Sequence, residues 1–161
     1  MRGTLPWRSA LLAAGLLSCG DPCPTEGCEA LNARSDEKGT GIAGVVAQLS
    51  DVVANRCQEC PFGVAGVNVW SVDAPLESSS DVSRVVAQPA LQQVTANERF
   101  KIELDAGNYL VCVINECVNV VVKQGAITTL NVRLTEGPVA FFMDHGGTLE
   151  QVTALEKPSP N

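Results

Sequence analysis

The chain has 161 residues, the size of one ordinary domain, with 45% hydrophobic and 18% charged residues, a balance that excludes a fully disordered chain and disfavours two independent cores. Eleven basic residues against eighteen acidic ones leave a formal charge of −7, so nucleic-acid binding through a broad basic surface is not expected. His145 is the only histidine, which excludes histidine-based metal clusters and leaves little material for a Ser/His/Asp mechanism, so neither an enzyme nor a cofactor is expected.

Met1, Arg2 and Arg8 precede the apolar run Ser9 to Ser18, giving the charged and hydrophobic regions of a secretion signal over residues 1–18. The run falls short of the ~20 residues that cross a bilayer as a helix. Its end, Leu16-Leu17-Ser18-Cys19, resembles the bacterial lipobox, in which the cysteine is diacylated and becomes the new N-terminus. The resemblance implies a lipid on Cys19 and an acidic protein anchored in the cell envelope through that lipid. Gly20 stands where an aspartate resembles an inner-membrane retention signal in enteric bacteria, which points to the outer membrane. Residues 19–40 are rich in Gly, Pro, Asn and Asp without helical or alternating pattern, and are expected as a flexible tether.

From residue 41 the chain is rich in valine, and residues 41–143 are expected as an all-β domain: an antiparallel sandwich of about seven short strands. Gly41 to Leu49 and Val64 to Val72 are apolar on both parities, so strands are expected there with the buried face left open. Val72 to Gln93 forms a long polar connection with room for a helical turn near Val82 to Val86. Phe100, Ile102 and Leu104 alternate with Lys101, Glu103 and Asp105, which sets one apolar face against one charged face. Asp105-Ala106-Gly107-Asn108 is a turn, and Tyr109, Val111 and Val113 continue as the inward set of a second strand, the pair forming a hairpin. Val118, Val120 and Val122 follow; then Thr128, Leu130, Val132 and Leu134 point inward with Thr129, Asn131 and Arg133 outward, completing a four-stranded meander. Val139 to Met143 is the last expected strand, and residues 144–161 are expected as a disordered tail.

Four segments carry a family resemblance: Gly41-Ile42-Ala43-Gly44-Val45-Val46, Gly63-Val64-Ala65-Gly66-Val67-Asn68-Val69, Thr95-Ala96-Asn97-Glu98-Arg99-Phe100, and Leu104-Asp105-Ala106-Gly107-Asn108-Tyr109. Together they resemble the carboxypeptidase regulatory-like domain, a prealbumin-type β-sandwich, over about residues 40–135. The chain departs from that pattern at Asn97-Glu98-Arg99, where the family usually places an Asp and a Gly before the Phe. The resemblance implies an accessory, folding or surface-presentation scaffold without catalytic residues.

Seven cysteines divide into Cys19 and six others, which in an oxidising compartment are expected as disulfides. Spacing alone leaves their connectivity open. Local pairs are favoured: Cys23 with Cys28, Cys57 with Cys60, and Cys112 with Cys117. A four-thiolate zinc site from Cys57, Cys60, Cys112 and Cys117 competes with oxidation outside the cytoplasm, so no metal is expected. A thiol oxidoreductase built on Cys57-Gln58-Glu59-Cys60 lacks a helix N-terminus to lower a thiol pKa. The last pair is the most constrained. With Ile114 and Asn115 at the centre of a tight turn, Val113 opposes Glu116, Cys112 opposes Cys117, Val111 opposes Val118 and Tyr109 opposes Val120. Both cysteines then lie on the outer face beside Leu110 and Asn119, and Asn115 suits the turn because asparagine tolerates positive φ.

Asp144-His145-Gly146-Gly147 offers two ligands with no third and is expected as a solvated turn. The Ser78-Ser79-Ser80 cluster is expected as a loop, not as a nucleophile. Trp70 fits a core or edge-covering position better than a sugar-stacking platform. Two function readings follow: a non-enzymatic lipoprotein whose sandwich is a structural or protein-interaction module, and a domain that binds carbohydrate or another small ligand. Exposure or burial of Trp70, Phe141 and Phe142 separates them.

Overall fold

Valine-rich alternation does produce strands along most of the described residues. The computed structural model describes residues 29–48, 63–145 and 148–156. Within these lie a short helix α1 (Glu29–Asn32), strands β1 (Gly41–Gln48) and β2 (Val64–Val72), and helix α2 (Ser79–Val86). Strands β3 (Gln92–Asn97), β4 (Arg99–Glu103), β5 (Gly107–Val113), β6 (Glu116–Val122) and β7 (Ile127–Leu134) follow. The described chain ends in β8 (Ala140–His145), β9 (Thr148–Val152) and β10 (Leu155–Glu156).

The strands hydrogen-bond in the order β10-β6-β5-β2-β3-β4-β1-β7-β8-β9. The link between β3 and β4 is a single pair, Asn97 with Arg99, and there the ladder folds over on itself. One sheet is β6-β5-β2-β3 with the two-residue β10 at its edge; the other is β4-β1-β7-β8-β9. Their inner faces enclose one core. Ile42, Val46, Val67, Val69, Phe100, Ile102, Val111, Val113, Val118, Val120, Leu130, Val132 and Phe141 all lie in it. The period-2 alternation that points Phe100, Ile102, Val111, Val113, Val118, Val120, Leu130 and Val132 inward is therefore a correct guide to which face is buried, and the structure supplies the phase that β1 and β2 leave open.

Parity does not choose the partner strand, and there the expected topology needs correction. The β4–β5 and β6–β7 connections are not hairpins. β4 pairs with β1, and β5 with β2 and β6, so Asp105-Ala106-Gly107-Asn108 carries the chain from one sheet to the other. β7 likewise pairs with β1 and β8, not with β6. A hairpin and an arch between packed sheets bury the same alternate residues, so the sequence pattern is identical for both. Nor is the sandwich wholly antiparallel, because β1 and β7 run parallel.

The one true hairpin of that region is β5–β6, and its register is the expected one: Val113 faces Glu116, Cys112 faces Cys117, Val111 faces Val118 and Tyr109 faces Val120. Cys112 and Cys117 form a disulfide with their Cα atoms 4.0 Å apart, the close spacing of a non-hydrogen-bonded pair. The turn conformation differs in one respect. Ile114, not Asn115, takes the positive φ, at 57°.

Two more segments are more ordered than their composition implies. Residues 144–161 are expected as a disordered tail; 157–161 lie outside the described residues, but before them β8 continues to His145, β9 pairs with β8, and β10 pairs with Cys117 and Glu116 of β6. The segment thus straps one sheet to the other, with Val152 and Ala154 packed on the main core and Leu155 on the outer cluster around the disulfide. Helix α2 covers that same outer face. Trp70, Val82, Leu110, Cys112 and Cys117 form its buried cluster, and the Trp70 indole donates to the Gln88 carbonyl at 2.9 Å. The helix begins at Ser78, whose hydroxyl accepts from the Asp81 amide at 3.2 Å. Ser78-x-x-Asp81 is a helix-start signature, and the helical turn expected near Val82 to Val86 is the second half of a helix that begins at Ser79.

Among the described residues, two non-glycine residues sit at left-handed φ: Ile114 at 57° and Glu98 at 65°, the latter in the Asn97-Glu98-Arg99 corner. Glu98 is held there by backbone bonds, its amide donating to Gly63 at 3.0 Å and its carbonyl accepting from Val46 at 2.8 Å. Left-handed φ costs an ordinary residue about 1 to 2 kcal/mol, more for a β-branched one, whereas glycine adopts it without a Cβ clash. Both side chains are exposed, Ile114 at 60%, so little packing is lost on removing them. Ile114→Gly and Glu98→Gly are each expected to stabilise the fold by about 0.5 to 1 kcal/mol after glycine's extra chain entropy is subtracted. Urea unfolding midpoints at unchanged slope measure this, and a lower midpoint for Ile114→Gly would remove strain as the description of that turn.

Candidate functional site

β7 presents Thr129, Asn131 and Arg133 on its outer face, a row that sequence alone assigns to solvent. Thr129 and Asn131 are instead 2% and 1% exposed. What buries them is the chain's own N-terminal segment. Residues 29–40, expected as part of a flexible tether, lie along the outer face of the second sheet.

The segment begins with α1, whose Leu31 is fully buried in a cluster with Val45, Ala47, Ala140 and Phe142. Four residues cannot hold a helix by themselves, so α1 depends on what receives its C-terminal carbonyls. The receiver is the Asn131 amide. Its Nδ2 donates to the Leu31 carbonyl at 2.9 Å and the Ala33 carbonyl at 2.9 Å, with a longer bond to Ala30 at 3.4 Å. Its Oδ1 accepts from the Val45 amide at 3.1 Å. That last bond closes a gap in the sheet, because the β1–β7 ladder runs from Gly41 to Ala43 and resumes at Val46. Gly44 occupies the gap because a Cβ there would collide with the Leu130 carbonyl.

Lower on the same face the Thr129 hydroxyl accepts from the Ser35 amide at 2.9 Å. Arg34 pairs with Asp144 at 2.6 Å and Glu37 with Lys101 at 3.4 Å. Arg34 is 56% exposed, so its ion pair adds little beside the buried bonds. Leu31 lies against the far halves of β1 and β8, whereas Thr40 leads into Gly41 at the start of β1. The segment therefore runs antiparallel to β1 and β7, as a strap laid in a groove. Beneath it a cleft of about 70 Å³ remains, lined by Arg34, Asp36, Gly44, Arg99, Phe100 and Asn131 among others.

The strap also explains why β1 is apolar on both parities: Ile42 and Val46 face the core, and Val45 and Ala47 face Leu31. Arg133 ends the row, its guanidinium 5.3 Å from the Phe142 ring centroid.

Of the residues singled out from sequence, Cys19, Cys23, Cys28, Cys57 and Cys60 lie outside the described residues, as does the signal peptide. Cys112 and Cys117 are bonded to each other under α2, at 2% and 0% exposure. Trp70, Phe141 and Phe142 are 8%, 0% and 6% exposed and form no surface patch. Asp144 is engaged by Arg34. Among the described residues no group of three or more His, Cys, Asp or Glu is placed to hold a metal ion. Among the described residues, the two groups whose titration is displaced from its ordinary range, Asp81 and Tyr109, lie away from the groove. Asp81 is held below its ordinary value, chiefly by the Ser78 hydroxyl and further by Arg84, against a desolvation that raises it. Burial pushes Tyr109 up, helped by the Asp105 charge. As pH rises through the ordinary phenol range near ~10, the unfolded chain loses that proton first, and this contribution to stability falls.

Truncating Asn131 to alanine leaves the Val45 amide and the α1 carbonyls without their partner. The expected result is a loss of about 2 to 4 kcal/mol and faster amide exchange across residues 30–37. Exchange mass spectrometry with denaturant titration measures both, and a strap that stays protected in Asn131→Ala would show that Leu31 and the remaining contacts hold it without the amide. Comparison with family models, curated proteins and solved structures finds no match to this chain.

Proposed function

We propose that this chain is a non-enzymatic lipoprotein of the cell envelope, anchored in the outer membrane through Cys19, whose sandwich serves as a structural or protein-interaction module. The anchoring part rests on the Leu16-Leu17-Ser18-Cys19 sequence behind its charged and apolar leader. The single observation that favours a module over a carbohydrate binder is the burial of Trp70, Phe141 and Phe142. Sugar recognition commonly stacks a pyranose face on an exposed ring, and these three rings are used in packing. The prealbumin-type reading belongs to the same proposal and is supported by the two-sheet arrangement together with the four signature segments.

In cells fed a labelled fatty acid, the chain is expected to take up label, and Cys19→Ser to lose it and accumulate as precursor or as released protein. Label retained in Cys19→Ser would overturn the anchoring. A glycan array probed with the full chain is expected to stay blank, and a saturable signal there would overturn the module reading in favour of sugar binding.

A further inference from the structure

The groove on the second sheet is a peptide-binding surface already occupied by a peptide, residues 30–37 of the same chain. Its contacts are a socket for one apolar side chain, Leu31, and side-chain bonds to strap backbone from Asn131 and Thr129. None of these contacts depends on which molecule the strap comes from.

The connection between strap and body is short. Thr40 is fixed to the body: its hydroxyl accepts from the Gly125 amide at 2.8 Å and its carbonyl from the Leu104 amide at 3.2 Å. Glu37 is the last strap residue with a contact to the sheet, at Lys101. Only Lys38 and Gly39 lie between, and Gly39 holds φ at 120°, a backbone state that side-chain-bearing residues rarely adopt. The strap folds back onto its own sheet through that conformation. An extended hinge does without it and carries the strap outward, and short constrained hinges of this kind favour exchange of an element between copies.

We propose that the strap is exchangeable, residues 30–37 of one chain seating on the Leu31 socket and Asn131 amide of a second copy, so that the protein forms a reciprocal two-fold dimer. Each copy then fills the other's groove with the contacts it makes alone. The two arrangements differ only in the hinge, the cost of association and any new contact between the bodies. The inference does not require the lipid on Cys19.

Gly39→Ala tests the hinge cleanly, because a Cβ at Gly39 meets nothing within 4 Å and the substitution acts through φ alone. The full chain, in detergent where lipidated, is followed by sedimentation velocity over a concentration series. Gly39→Ala is expected to raise the dimerisation constant about tenfold or more over the unaltered chain. Adding Leu31→Ser, which empties the socket without altering the sheet, is expected to return the protein to monomer, as is adding Asn131→Ala. A Gly39→Ala chain that stays monomeric at every concentration overturns the proposal. So does a dimer that persists in Gly39→Ala/Leu31→Ser, since association would then run through another surface.

Discussion

A single side-chain amide, that of Asn131, stands where the sheet and the strap meet. Strand β1 is paired on both sides, with β4 and β7, and its ladder to β7 is interrupted at Gly44 and Val45. An amide hydrogen buried there without an acceptor would cost about 1 to 3 kcal/mol. Asn131 supplies the acceptor from one end of its side chain and uses the other end to receive the carbonyls of α1. The bonds that bring the strap down are made by the same group that completes the sheet. The strap in turn keeps water from the apolar outer surface of Val45, Ala47, Ala140 and Phe142.

The opposite sheet solves the same problem by different means. Its outer face carries Trp70, Leu110 and the disulfide, and α2 with Leu155 of β10 covers them. Here the cover is a helix started by Ser78 and Asp81 and turned so that Val82 enters the cluster. Both faces of the sandwich thus need a third layer, and the chain draws each from a segment outside the strands of the main core. The burial of Cys112 and Cys117 follows from the same cover, which makes the bond a fixture of the hairpin, out of reach of bulky reductants.

Sequence made the inner core legible from Phe100 to Leu134, though not in β1 and β2, which are apolar on both parities, and for one reason: alternation at period two records which side chains face the core, whatever strand lies alongside. Phe100, Tyr109, Val111, Val118 and Leu130 were all placed correctly by it. The β5–β6 register was legible too, because two cysteines and two strands agree on one pairing. The β4–β5 arch was not legible, because parity is blind to partner. Nor was the strap. Leu31 is one apolar residue among breakers, and the group that recognises it is an asparagine in a row of polar residues, which composition assigns to solvent. The signal available was indirect: a first strand apolar on both faces has to be covered by something. At the C-terminus Val152 and Leu155 were too widely spaced to announce strands, and their order comes from long-range contact with finished sheets.

The direction of the strap has a mechanical consequence. Because it lies antiparallel to β1, a pull on residue 30 along the strand axis, away from Thr40, acts along the strap and not across it. Leu31 in its socket, the Asn131 bonds and the Ser35–Thr129 bond are then loaded together, in shear. A pull perpendicular to the sheet would load the same contacts one after another, beginning with α1, and would separate them at lower force. Resistance of the strap to force is therefore anisotropic, set by the angle of the pull on residue 30.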